Sequence, residues 1–113
     1  MDTQEIIDLY ILPIVLPEEC RRLGIPPEFI KGVYSCYPKP FDFDARCEPI
    51  LDNGHIIGVK IRIGINHETP ERVKYAFRHE TWHAKDYYEG KNSSEINAVL
   101  YTLFRSLQDK VRH

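Results

Sequence analysis

No stretch of this 113-residue chain approaches the roughly 20 consecutive apolar residues of a membrane span. Its most apolar segment, residues 11–16, contains Pro13 and is closed by Pro17. The basic start and cleavable small-residue site of a signal peptide are also missing. Charge of one sign is absent too. Fifteen Lys and Arg stand against 17 Asp and Glu, for a formal net charge of -2, and the pI is near 6.2. The basic residues are scattered among acids, which leaves no electrostatic footprint for nucleic acid. Cys20, Cys36 and Cys47 are an odd, widely spaced set without a C-x-x-C pair. That argues for small buried free thiols in a reducing, cytoplasmic setting rather than a secreted disulfide framework. Internal repeats and low-complexity tracts are lacking. What is present is 42% hydrophobic content, enough for one domain over residues 1–113 and too little for two. Any cleft must be shallow and built from few elements.

The pattern predicts helices around a central sheet, an α+β chain. Thr3 can cap a first helix to about Leu12, where Pro13 makes continuation difficult. A second short helix fits Pro17 to Leu23, with Gly24 as its stop, and a further helical turn fits Pro27 to Lys31. Val33 to Tyr37 reads as a strand. Arg46 to Leu51 and His55 to Ile65 flank Asp52-Asn53-Gly54, a hairpin signal. Val59, Ile61, Ile63 and Ile65 alternate with Lys60, Arg62 and Gly64, so one face is buried. Pro49 cannot donate a ladder bond and places its strand at an edge. Thr69-Pro70-Glu71 marks a helix start, and that helix should run to about Glu89 before Gly90. A last helix begins after Asn92 or Ser93 and continues to about Val111. Ile96, Val99, Leu100, Leu103, Phe104, Leu107 and Val111 form its apolar stripe.

Inside the helix after Thr69 lies His79-Glu80-Thr81-Trp82-His83, an H-E-x-x-H motif. Residues four apart on a helix share a face, so both imidazoles can reach one metal with Glu80 beside it. Two such ligands and a carboxylate base suit zinc-dependent peptide hydrolysis. Glu80 also falls on the stripe of Val73, Ala76, Phe77, Ala84 and Tyr87, where an ionised carboxylate needs a partner.

A catalytic zinc usually takes three protein ligands, and Glu95 is the best candidate for the third. The competing use is local: with Asn92 as cap, Asn92-x-x-Glu95 is a variant capping box. Asp86 is a poor rival, since it would lie about 10 Å from His79 along one helix; a supporting or surface role suits it better. His55 and His67 read as solvated turn residues and His113 as terminal. Tyr87, Tyr88, Tyr101 and Arg105 are candidate oxyanion stabilisers, although packing or snorkelling explains each.

H-E-x-x-H followed by Glu95-Ile96-Asn97-Ala98 in so short a chain resembles the minigluzincins. These are soluble relatives of the catalytic domains of membrane metallopeptidases such as the CAAX prenyl proteases. The resemblance covers roughly residues 55–105, about half the chain. It implies one zinc ion held by His79, His83 and Glu95, with Glu80 as general base. It also implies a minimal zincin fold: a short mixed sheet on the active-site helix, a backing N-terminal helix and a C-terminal glutamate helix. Relatives often carry E-x-x-A-D, whose last acid supports a ligand histidine. Here Ala98 fits but Val99 follows, and loss of such support weakens metal binding or activity by about 10–100-fold. Asp86 is the substitute at hand.

The resemblance further suggests latency through the C-terminal segment. The distal part of the last helix would then cover a cleft, in the same molecule or in a second copy; the plainer expectation is that Leu103, Phe104 and Leu107 complete the core. The expected partners are a peptide or protein substrate and a second copy through the C-terminal helix, with no nucleic acid and no membrane. Two readings compete with the metallopeptidase: a deformylase-like hydrolase with Cys47 as ligand, and a non-catalytic zinc scaffold that binds a peptide.

Overall fold

The computed structural model describes residues 1–37, 45–66, 69–92 and 94–112. Helices pack on a three-stranded mixed sheet in an α+β arrangement. The chain opens with one unbroken helical arm: α1 (Thr3–Ile6), a π-helical stretch (Ile7–Val15) and α2 (Leu16–Leu23). Asp2 rather than Thr3 is its cap. The Asp2 carboxylate accepts from the Glu5 N–H at 2.8 Å, and Glu5 accepts in return from the Asp2 N–H at 3.3 Å, a reciprocal capping box.

The expected break at Pro13 does not occur. Proline lacks an N–H and crowds the carbonyl four residues back, and the wider π winding absorbs that conflict. Burial of Ile6, Ile7, Ile11, Val15 and Leu16 keeps the segment helical. Leu9 and Tyr10, two of its expected apolar residues, face outward. Cys20 is buried as a free thiol, and burial, then the nearby Glu19 and Glu28, push its pKa up to about 11. Gly24 ends the arm at φ +70.

A short 3-10 turn (Pro27–Phe29) leads into β1 (Ile30–Cys36), which starts three residues before the expected Val33. β2 (Ala45–Asp52) and β3 (His55–Gly64) form the predicted hairpin. Asn53 and Gly54 both take positive φ, 51° and 80°, as the favoured two-residue turn requires. The strand order is β1-β3-β2, with β1 parallel and β2 antiparallel to β3. Pro49 therefore lies on an edge strand, as expected. Val33, Val59, Ile61 and Ile63 form the buried face. On the other face Arg62 donates to Glu48 at 3.2 Å and lies 5.9 Å from the Tyr34 ring. His55 is exposed at the hairpin; His67 and His113 lie outside the described residues.

α3 (Pro70–Glu89) has the predicted bounds. Thr69 accepts from the Arg72 N–H at 3.3 Å, and Gly90 stops the helix at φ +71. Val73, Ala76, Phe77 and Ala84 pack into the core formed with the sheet and the arm.

α4 (Glu95–Arg112) overturns an expectation. Its apolar stripe points to solvent: Ile96 is 74% exposed, Leu107 61% and Val111 86%, with Val99, Leu100, Leu103 and Phe104 also open. Leu103, Phe104 and Leu107 thus do not complete the core, nor does this stripe cover a cleft in its own chain. Ala98, Thr102 and Arg105 are buried instead. Periodicity identifies the apolar face but not the side that finds a partner. Here buried carboxylates on the body engage the polar side, and Tyr101 rests on Trp82 with ring centroids 5.2 Å apart. Among the described residues no helix is long and apolar enough to cross a membrane.

Two substitutions test this orientation by urea unfolding. Phe77→Ala, in the core, should cost about 3–5 kcal/mol. Leu107→Gln should change monomer stability by no more than about 0.5 kcal/mol; a loss comparable to that of Phe77→Ala would mean that the stripe packs inward.

Candidate metal centre

α3 carries His79, Glu80 and His83, each with a donor atom within 4.8 Å of the other two. The imidazole centroids are 5.1 Å apart at 65°, the stacking expected of residues four apart. Glu95 reaches both rings from α4. Its Oε2 lies 3.0 Å from His79 Nε2 and its Oε1 2.7 Å from His83 Nε2. The Glu95 side chain is 70% exposed, so solvent reaches this end of the site.

The α3–α4 connection explains how Glu95 arrives there. After Gly90 turns the chain, the Lys91 N–H donates to the Asp86 carbonyl at 2.9 Å. The Ser94 N–H donates to Asp86 Oδ2 at 3.3 Å, and the Asn97 N–H donates to Ser94 Oγ at 3.2 Å. Ser94 is therefore the cap. Glu95 occupies the first helical position rather than the third, and the expected Asn92-x-x-Glu95 capping box is not formed. Asp86 is buried and, like Glu95, is outside the group of mutually close donors on α3, but unlike Glu95 it makes no described contact with either imidazole. Its place is structural: it holds the residue before Glu95. The signal was in the spacing, since Asp86 follows His79 by seven residues and shares the face that meets α4.

Glu80 is only 4% exposed, and its Oε2 makes no hydrogen bond among the described residues. Burial, reinforced by the Glu95 charge, pushes its pKa up to about 8. A buried carboxylate without a partner is costly, and a cation beside it would relieve that cost. Imidazole nitrogens and carboxylate oxygens are donors zinc accepts. Around a tetrahedral ion with bonds of about 2.0–2.1 Å, donors stand about 3.3 Å apart. The observed 3.0 and 2.7 Å, made by the two oxygens of one carboxylate, are about 0.3 and 0.6 Å short of that spacing, so Glu95 would draw back slightly to admit an ion. The residues fit one zinc ion.

Cys47 on β2 lies near this site without joining it. Burial, then Glu80 and Glu48, push its thiol far above the usual range, and Cys47 is outside the group of mutually close donors on α3. Of the four oxyanion candidates, Tyr87 is the one whose ionisation feels Glu80: burial, then Cys47 and Glu80, raise its pKa. Tyr101 and Arg105 are engaged with Glu19, and Tyr88 packs edge-on against Phe29 at 5.1 Å. Ala98 is fully buried, while Val99 is half exposed and brings no acid.

Metal retention after dialysis separates the candidate ligands. Glu95→Ala should lose zinc, Cys47→Ser should keep it, and Asp86→Ala should weaken binding by about 10-fold as the Ser94 anchor fails. Zinc lost with Cys47 and kept without Glu95 would reverse the assignment. The chain matches no protein-family model, no curated protein and no solved structure, so the reading of this site rests on its own residues.

Proposed function

We propose that this protein is a zinc-dependent metallopeptidase of minimal, gluzincin-like build, with His79, His83 and Glu95 as metal ligands and Glu80 as general base. The observation that carries the proposal is the reach of Glu95 from a separate helix onto both imidazoles, at 3.0 and 2.7 Å. The resemblance of His79-Glu80-Thr81-Trp82-His83 and Glu95-Ile96-Asn97-Ala98 to minigluzincins supports it. Free cysteines and the lack of a membrane-crossing helix among the described residues suit a cytoplasmic protein.

The bound ion would supply Lewis acidity, activating water near neutral pH and polarising the scissile carbonyl. Glu80 takes the proton of the attacking water and hands it to the leaving amine. Its burial keeps bulk water from competing for that proton. Tyr87, whose ionisation feels Glu80, is the candidate to steady the developing oxyanion. β2 is an edge strand beside α3, and an extended peptide could be held along it by strand addition. A non-catalytic zinc scaffold is the second reading, favoured by one observation: Val99 stands where relatives place a supporting acid.

Peptide cleavage by wild type and Glu80→Gln at equal zinc content decides between them. The variant should lose about 10²–10⁴-fold in rate; equal residual rates would leave the scaffold reading.

The α4 stripe belongs to the same proposal: a second copy covers it. The seven open side chains offer on the order of 700 Å² of apolar surface, close to the roughly 800 Å² per partner of a standard interface. In sedimentation experiments wild type should dimerise at micromolar concentration, and Leu103→Glu/Leu107→Glu should be monomeric. If that contact also enforces latency, the monomeric variant cleaves peptide faster. A wild type that stays monomeric at about 100 μM, where contacts weaker than about 5 kcal/mol go unfilled, would exclude the dimer.

A further inference from the structure

We infer that Glu19 is a positioning residue for the metal site: its buried carboxylate, through Arg78 and Arg105, sets where α4 presents Glu95. The inference rests on the metallopeptidase reading but concerns residues that the proposed chemistry never touches.

Glu19 on α2 is fully buried. Its Oε1 accepts from Arg78 Nε on α3 at 3.0 Å and from Arg105 Nε on α4 at 3.0 Å. Its Oε2 accepts the Tyr101 hydroxyl, also from α4. Arg78 reaches α4 a second time, donating through Nη1 to Asp109 at 2.7 Å. One carboxylate and one guanidinium thus fix α4 against α3 at points a turn apart.

The lever arm is direct. Arg78 immediately precedes His79, and Arg105 follows Glu95 by ten residues, about 15 Å along one helix. A slide of α4 by one residue would move Glu95 by about 1.5 Å and turn it by about 100°. Apolar packing opposes that slide only through Ala98 and the Tyr101–Trp82 contact, because the large stripe of α4 faces outward. The charges do, since a displaced Arg105 would be buried without its carboxylate. Specificity of register is the role this network fits, beyond its share of stability.

The test uses the intact protein with Co²⁺ as probe, read by competition with a chromophoric chelator and by visible absorption. Glu19→Gln should remain folded by circular dichroism while cobalt affinity falls about 10–100-fold and its absorption bands change. In a Glu95→Ala background the same substitution should cost no further affinity, because its effect runs through Glu95. Arg105→Lys keeps the charge but not the fork, and should give an intermediate loss; it serves as the second variant should Glu19→Gln not fold. Histidine NMR of the metal-free protein adds an independent reading: Glu19→Gln should shift the His79 and His83 imidazole signals as Glu95→Ala does. Wild-type affinity and spectrum in folded variants, or equal losses with and without Glu95, would overturn the inference. Failure of wild type to take up cobalt would sink the metal reading alone, and the imidazole shifts would still decide whether Glu19 places Glu95.

Discussion

The Glu19 carboxylate is where α2, α3 and α4 meet, and the placement of α4 depends on it. Removing one carboxylate and two guanidinium groups from water costs several kcal/mol per ion. Only saturation with well-formed hydrogen bonds repays that, and here both oxygens are occupied by Arg78, Arg105 and Tyr101. Glu18 and Gln108 complete the Arg105 fork, at 2.8 and 2.6 Å. Such a cluster tolerates little displacement, whereas a purely apolar contact can repack. It fixes α4 with the charged side inward, and the outward apolar stripe follows as a consequence.

A small domain has few elements to share among tasks, and α3 takes on two of them. One side of it builds the core through Val73, Phe77 and Ala84. The adjoining side carries the two imidazoles toward α4. Glu80 lies at the boundary, a carboxylate buried as deeply as a core residue. Its raised pKa is the energetic trace of that conflict. A titratable group held at a desolvated boundary is a candidate for acid–base chemistry, and the same desolvation makes the position unfavourable for folding alone.

Much of this was legible from local signals. Thr69, Pro70 and Gly90 fixed the ends of α3, because capping and left-handed backbone are decided within a few residues. Asn53-Gly54 revealed the hairpin for the same reason. Pro13 signals a helix end near Leu12 that does not form, because burial of Ile11, Val15 and Leu16 carries the chain through in a wider winding. Three residues capable of capping, Asn92, Ser93 and Ser94, stand in succession, so composition could not choose among them; Asp86 chose Ser94 by a tertiary hydrogen bond. The inward face of α4 was the least legible feature. An amphipathic pattern states which side is apolar, and only the distant Glu19 and Arg78 determine that the other side is buried.

The support of the site also differs from the pattern its motif suggests. With Val99 in place of an acid, Asp86 is the nearest substitute, but the contact it makes is with Ser94. It steadies Glu95 from behind rather than holding an imidazole. The two histidines meet Glu95 directly at 2.7 and 3.0 Å, so the geometry of all three donors follows the position of α4. That helix is gripped through its charged side by the body and presents its apolar side outward. The outward stripe and Glu95 thus belong to one helix, held to the body through Glu19 and Arg78.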